Sequence, residues 1–208
     1  MPRSGDPPAP SPDPKRQAII RTARKAFVRD GYAATRIEPI AREAGVSTAT
    51  LYALFDGKAG LFTAVIDDAA EDFARQMAGV RTIEGTARQQ LTGFAEAYAG
   101  FMSDPFVRSV FRLVMAERPR FQPVALRFFE KGRAEFGATL IAILVQLSKS
   151  GGLGPIDRPS WAAGNLMGML EHPVFFVPLV TGDEIYVRRS LAAIVDDAVE
   201  TFLARYGA

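Results

Sequence analysis

Cysteine is absent from the 208 residues, which excludes disulfides, thiolate metal sites and cysteine nucleophiles together and argues against an oxidising compartment. Histidine occurs once, as His172. A metal or catalytic centre would therefore need carboxylates gathered around a single imidazole, and the sequence has no Gly-x-Ser-x-Gly, phosphate-binding loop or ligand-spaced His/Glu cluster. No metal and no cofactor are expected, and an enzyme is the least favoured reading. Long apolar runs are missing too: Leu140 to Leu147, broken by Gln146, falls far short of the roughly 20 residues that span a bilayer. The expectation is a cytoplasmic protein with no membrane partner. Residues 1–14 carry proline at positions 2, 7, 8, 10, 12 and 14 without the apolar stretch of a secretory signal, and read as a disordered Pro-rich tail.

What remains is ordinary globular material, 48% hydrophobic and 23% charged, with a net charge of +2 that is unevenly spread. The first 60 residues hold ten Lys and Arg against six Asp and Glu, whereas the rest hold fifteen against seventeen. A basic end permits phosphate binding, although a solvated helix face gives the same count. Helical periodicity dominates from Lys15 onward. Ile19, Ile20, Ala23, Ala26 and Phe27 form one apolar stripe and Gly31 supplies a stop. Thr35 and Glu38 have the spacing of a capping box for a second helix that ends at Gly45, and Ser47 is the N-cap of a short third. Further helices are expected over about 58–79, 84–103, 105–116, 124–149, 158–178 and 183–206, with Pro173 kinking or dividing the penultimate one. No alternating strand pattern stands out. The fold expected is all-α with about nine helices: a helix-turn-helix domain at 15–60 and a helical regulatory and dimerisation domain at 61–208.

The segment Ile37 to Asp56 meets the steric demands of a helix-turn-helix. Two closely crossing helices need a small residue, here Ala41, and the turn needs a residue tolerant of positive φ, here Gly45. Ile37, Ile40, Ala44, Val46, Leu51 and Leu54 supply the apolar seam, which leaves the outer face of the second helix free for a major groove. Ala26-Phe27, Gly31-Tyr32, Ala34-Thr35, Ile40-Ala41, Ala44-Gly45-Val46-Ser47, Thr50-Leu51-Tyr52, Phe55, Lys58 and Leu61-Phe62 together resemble the amino-terminal signature of the TetR (tetracycline-repressor) family. Arg36, Ala49, Leu54 and Ala59 depart from its usual residues. Arg112-Leu113-Val114, Arg118, Phe121, Phe129 and Gly151-Gly152-Leu153 faintly resemble the AefR-like subgroup.

The resemblance implies a transcriptional regulator, a repressor that binds a double-stranded DNA operator of palindromic sequence as a homodimer and is released by a small-molecule effector. By the same resemblance Thr35 and Arg36 approach phosphates, Ser47, Thr50, Tyr52 and Lys58 hold the DNA backbone, and Thr48 and Ala49 face base edges. Thr35 and Ser47 are caps in any case, and Tyr52 could instead be core. For the second domain the resemblance implies an effector pocket and dimerisation through the last two helices. Of its many aromatics, Phe101, Phe111, Phe129, Phe136, Trp161 and Phe175 are candidates for a pocket that takes an apolar or aromatic effector. Gly164 and Gly168, four apart, with Leu191, Ile194, Val195 and Ala198 are candidates for the dimer interface; intrachain packing is the competing reading. A helix-turn-helix architectural protein without an effector is the alternative function.

Overall fold

The computed structural model describes residues 13–182 and 189–208. All but the end of the proposed Pro-rich tail, the expected start of the last helix at 183, and Tyr186 lie outside the described residues. Among the described residues the chain is helical throughout, with nine helical rods and one isolated bridge, Leu153 to Gly207. It divides into two compact units, Met1–Val65 and Ile66–Ala208. The division falls later than the boundary expected after residue 60, and inside a helix.

In the first unit α1 (Pro14–Ala34) starts on Asp13, whose side chain accepts the amide of Lys15 at 2.9 Å, and is interrupted at Gly31, φ 74°. Its inner face, Ile19, Ile20, Ala23, Ala26 and Phe27, is buried. α2 (Ile37–Glu43) and α3 (Thr48–Leu54) follow. The turn between them rests on Gly45 at φ +70°, where an added Cβ would meet no atom within 4 Å. Backbone conformation, not space, therefore demands glycine there. The amide of Val46 closes the turn onto the carbonyl of Ala41 at 2.9 Å. Ile37, Ile40, Ala41, Leu51 and Phe55 are buried along the seam; Ala44, Val46 and Leu54, expected among them, are only half-buried. Phe27 stacks on Tyr32 at 5.8 Å and meets the edge of Phe62 at 5.4 Å. Phe62 belongs to α4 (Gly57–Ala78), which begins in this unit and ends in the next.

The expected capping box does not form. Arg36 is the N-cap of α2 and makes no side-chain capping bond. Thr35, 3% exposed, turns its hydroxyl back and donates to the carbonyl of Gly31 at 2.6 Å. The carbonyls left open at the end of α1 have captured the hydroxyl that the sequence pattern assigned to the start of α2.

The second unit continues through a short 3-10 turn (Val80–Thr82) to α5 (Ala87–Met102) and α6 (Pro105–Glu117), the latter capped by Asp104 as its Asp-Pro start predicts. One long rod follows: α7 (Gln122–Gly132), a π-turn (Arg133–Gly137) and α8 (Ala138–Lys149). The next rod has the same design: α9 (Pro159–Glu171), a π-turn (His172–Phe176) and α10 (Val177–Thr181). Pro173 cannot donate to the ladder, and the helix slips register instead of breaking, with the amide of Val177 reaching the carbonyl of His172. α11 (Leu191–Tyr206), capped by Ser190, packs along α5 and α9. No single helix among the described residues is long and apolar enough to cross a membrane.

The packing of α11 corrects part of the interface expected from sequence. Ile194, Val195 and Ala198, at 3%, 2% and 3% exposure, point inward with Val199 and Phe202 and belong to the core of their own chain. Periodicity identified the apolar side of α11 correctly, but α5 and α9 of the same chain cover it.

Candidate nucleic-acid interface and effector cavity

The outer face of α3 is built by its inner one. Burying Leu51 on α3 and Phe55 just after it fixes the rotation of the helix, which leaves Thr48, Ala49 and Tyr52 exposed. Tyr52 is 53% exposed, so the core alternative for its ring fails. Ser47 acts as the expected N-cap: its Oγ accepts the amide of Thr50 at 3.0 Å and lies 2.9 Å from the Thr50 hydroxyl. The pair holds the first turn of α3 and leaves one of the two hydroxyl protons free to donate. Arg36 is exposed just before α2. Arg21, Lys25 and Arg29 are exposed on α1, though Arg29 is paired with Asp30 at 2.7 Å.

Two expected DNA contacts are placed differently. Thr35 is buried with its hydroxyl donated to the carbonyl of Gly31, so its side chain is turned away from solvent. The Lys58 ammonium donates to the carbonyl of Ala33 at 2.9 Å and sits 4.7 Å from the centre of the Tyr32 ring. It braces the beginning of α4 against the end of α1, because a helix end offers a carbonyl and a ring face offers negative potential to a cation.

The second unit holds a cavity of about 600 Å³, partly open to solvent, within the range of small-molecule sites. Of the six aromatics named from sequence, Phe111, Phe129 and Phe136 line it. Phe101 and Phe175 stand one ring back, 5.6 Å from Phe136 and 4.9 Å from Phe111. Trp161 is not on the wall: it is 67% exposed, with the Arg158 guanidinium 4.6 Å from its ring centre. Sequence reasoning missed Phe73 of α4, Tyr98 of α5, Phe128 of α7 and Glu171 of α9, all of which line the space. The π-turn between α7 and α8 forms part of the wall through Arg133, Ala134, Phe136 and Gly137. The second π-turn begins directly after Glu171. Wide turns of this kind leave the tight ladder and frequently accompany binding sites.

Among the described residues four polar side chains lie on the cavity wall, Tyr98, Arg133, Ser160 and Glu171, and two of them are joined. The hydroxyl of Tyr98 donates to Oε1 of Glu171. Burial pushes the Glu171 carboxyl above the usual carboxylate range, against the opposing effect of the Tyr98 hydrogen bond. Burial, and then the neighbouring carboxylate, push the Tyr98 hydroxyl up as well. On the outer side of the same wall Arg81 pairs with Glu135, and Lys131 lies 3.3 Å from Glu71. The Arg81 hydrogen bond, the largest influence there, holds Glu135 below its usual range.

Among the described residues nothing covers a stripe that runs along α9 and the rod that continues it. Gly164, Gly168 and His172 are exposed, as are Trp161, Phe176 and Val180 at 67%, 54% and 68%. His172 stacks on Phe176 at 5.7 Å. An added Cβ at either glycine would meet nothing within 4 Å. Leu191, at the start of α11, is 36% exposed. Among the described residues no group of three or more His, Cys, Asp and Glu is arranged to hold a metal.

Comparison with known proteins matches both units. Residues 19–65 match the bacterial regulatory proteins of the tetR family, and residues 89–208 match the AefR-like transcriptional repressor C-terminal domain. The transcriptional repressor ComR of Escherichia coli is 41% identical over 59 residues, a stretch that spans 28% of this chain and 28% of that protein. A crystal structure from Mesorhizobium loti, described as a TetR-family transcriptional regulator, is 27% identical with a TM-score of 0.77, covering 93% of this chain and 97% of that one. The flavonoid-responsive regulator FrrA is 25% identical with a TM-score of 0.70, covering 93% and 97%.

Proposed function

Because the chain belongs to the TetR family of transcriptional regulators, a family of DNA-binding proteins rather than enzymes, we propose that it is a cytoplasmic repressor whose homodimer grips a palindromic operator and is released by a small effector. The observation that carries the reading is the outer face of α3, where Thr48, Ala49 and Tyr52 are exposed on a helix locked by the burial of Leu51. Threonine and alanine suit a thymine methyl group, while Tyr52 and Arg36 suit phosphates. The exposed glycine and aromatic stripe of α9 and α10, with Leu191, supports a second copy as partner. Small residues let helices approach closely, and a two-fold pair of recognition helices reads a palindrome. This face replaces Ile194, Val195 and Ala198 in the interface.

The cavity is the proposed effector site, and the responsiveness of FrrA to a flavonoid supports an aromatic occupant. α4 carries both Phe73 on the cavity wall and Lys58 in the DNA-binding unit. An effector that favours one arrangement of that helix shifts DNA affinity only by its differential affinity for the two states.

The test of the interface is by base-pair resolution. Thr48→Ala changes the preference at one operator position by about 1 to 3 kcal/mol. Tyr52→Ala and Arg36→Gln weaken binding to all sequences alike, and Arg36→Gln lowers the salt slope by about one. Anisotropy titrations of operator variants at several salt concentrations check this. A Thr48→Ala protein with a uniform loss moves that residue to the backbone, and unchanged binding in all three variants removes α3 from the interface.

A further inference from the structure

We infer that the cavity of the second unit takes a positively charged amphiphile, an amine whose ammonium group pairs with Glu171 while its apolar body fills the phenylalanine-lined space. The inference rests on the effector reading of the cavity and adds the chemical class of the occupant.

Among the described residues Glu171 is the one carboxylate on the wall, and the Tyr98 hydroxyl donates to its Oε1. No basic side chain among the described residues pairs with it: the ion pairs of this unit engage Glu71, Asp67, Glu135, Asp72, Asp197 and Glu200. A carboxylate in an apolar space is costly without a counter-charge, so the burial that pushes Glu171 up is relieved by an arriving cation. The aromatic part of the wall favours the same charge. Phe73, Tyr98, Phe111, Phe128, Phe129 and Phe136 present rings, and ring faces attract ammonium groups. An anionic occupant would be opposed by the Glu171 carboxylate, and the attraction of Arg133, the basic residue that also lines the space, is screened because that side chain is exposed to solvent. A volume of about 600 Å³ leaves room for a body of two or three rings beside the charged group.

Three probes of one shape and different charge separate the alternatives: naphthylmethylamine, naphthylmethanol and naphthoate, titrated calorimetrically into the full chain near neutral pH. The amine binds about tenfold tighter than the alcohol or better, and naphthoate binds weakest. Glu171→Gln removes the advantage of the amine while leaving the alcohol within about twofold of its original affinity, with circular dichroism reporting the fold. Tyr98→Phe, which keeps the carboxylate, keeps the preference for the amine. Alcohol or naphthoate binding as tightly as the amine, or a Glu171→Gln protein that still prefers the amine, overturns the inference and leaves the cavity as an effector site. Binding of none of the three to the unmutated protein overturns the effector reading and the inference together.

Discussion

Phe176→Asp is expected to give a folded monomer, whereas Ile194→Asp is expected to give a chain whose second unit does not fold. The two residues belong to neighbouring rods of one unit and differ in what covers them. Phe176 is 54% exposed on the stripe that a second copy is proposed to bury, so a charge there costs the single chain little and opposes pairing. Ile194 is 3% exposed on the face that α11 turns toward α5 and α9. A carboxylate there would be buried without a partner, one of the few mechanisms that routinely removes more than about 4 kcal/mol. Losing the partner also removes the gain from two linked recognition helices, so operator affinity of the Phe176→Asp monomer falls by roughly 10²- to 10⁴-fold. Sedimentation velocity and circular dichroism read the two outcomes. An intact Phe176→Asp dimer with ordinary operator affinity moves the interface elsewhere.

Phe27→Ala is expected to destabilise the DNA-binding unit by about 3 to 5 kcal/mol. The ring is fully buried and joins α1 to Tyr32 and, through Phe62, to the start of α4. Its removal leaves a cavity at the point where those elements meet, in a unit too small to absorb such a loss. Hydrogen exchange on the full chain should show protection lost across α1 to α3 and kept in α5, α8 and α11, with operator binding abolished. A loss below about 1 kcal/mol would mean that the site collapses around the missing ring and that Phe27 is not the keystone of the unit.

The helix-turn-helix was readable from sequence because its requirements are local. Ala41 at the crossing, Gly45 in the turn and Ser47 at the cap each answer a constraint set by residues a few positions away. Thr35 was misread for the complementary reason. Its spacing to Glu38 is a valid capping pattern, but the carbonyl of Gly31 stood closer to its hydroxyl. Of the residues expected at an interface Gly164 and Gly168 are exposed, whereas an apolar face on α11 carries no mark of whether its own chain or another covers it. The cavity was least readable. Aromatic enrichment announces a hydrophobic interior without saying where it leaves room, and nothing in the sequence around Glu171, the last residue of α9, marks it as a cavity-lining carboxylate.

Selection of bound duplexes from a random-sequence DNA library by the 208-residue chain decides whether it reads an operator. One palindromic sequence is expected to be enriched, bound roughly 10³-fold or more tighter than a scrambled duplex of the same length, with two half-sites protected in footprints. A library that emerges unenriched, with all duplexes bound alike and only as salt allows, would contradict it and leave a DNA-binding protein that reads no operator.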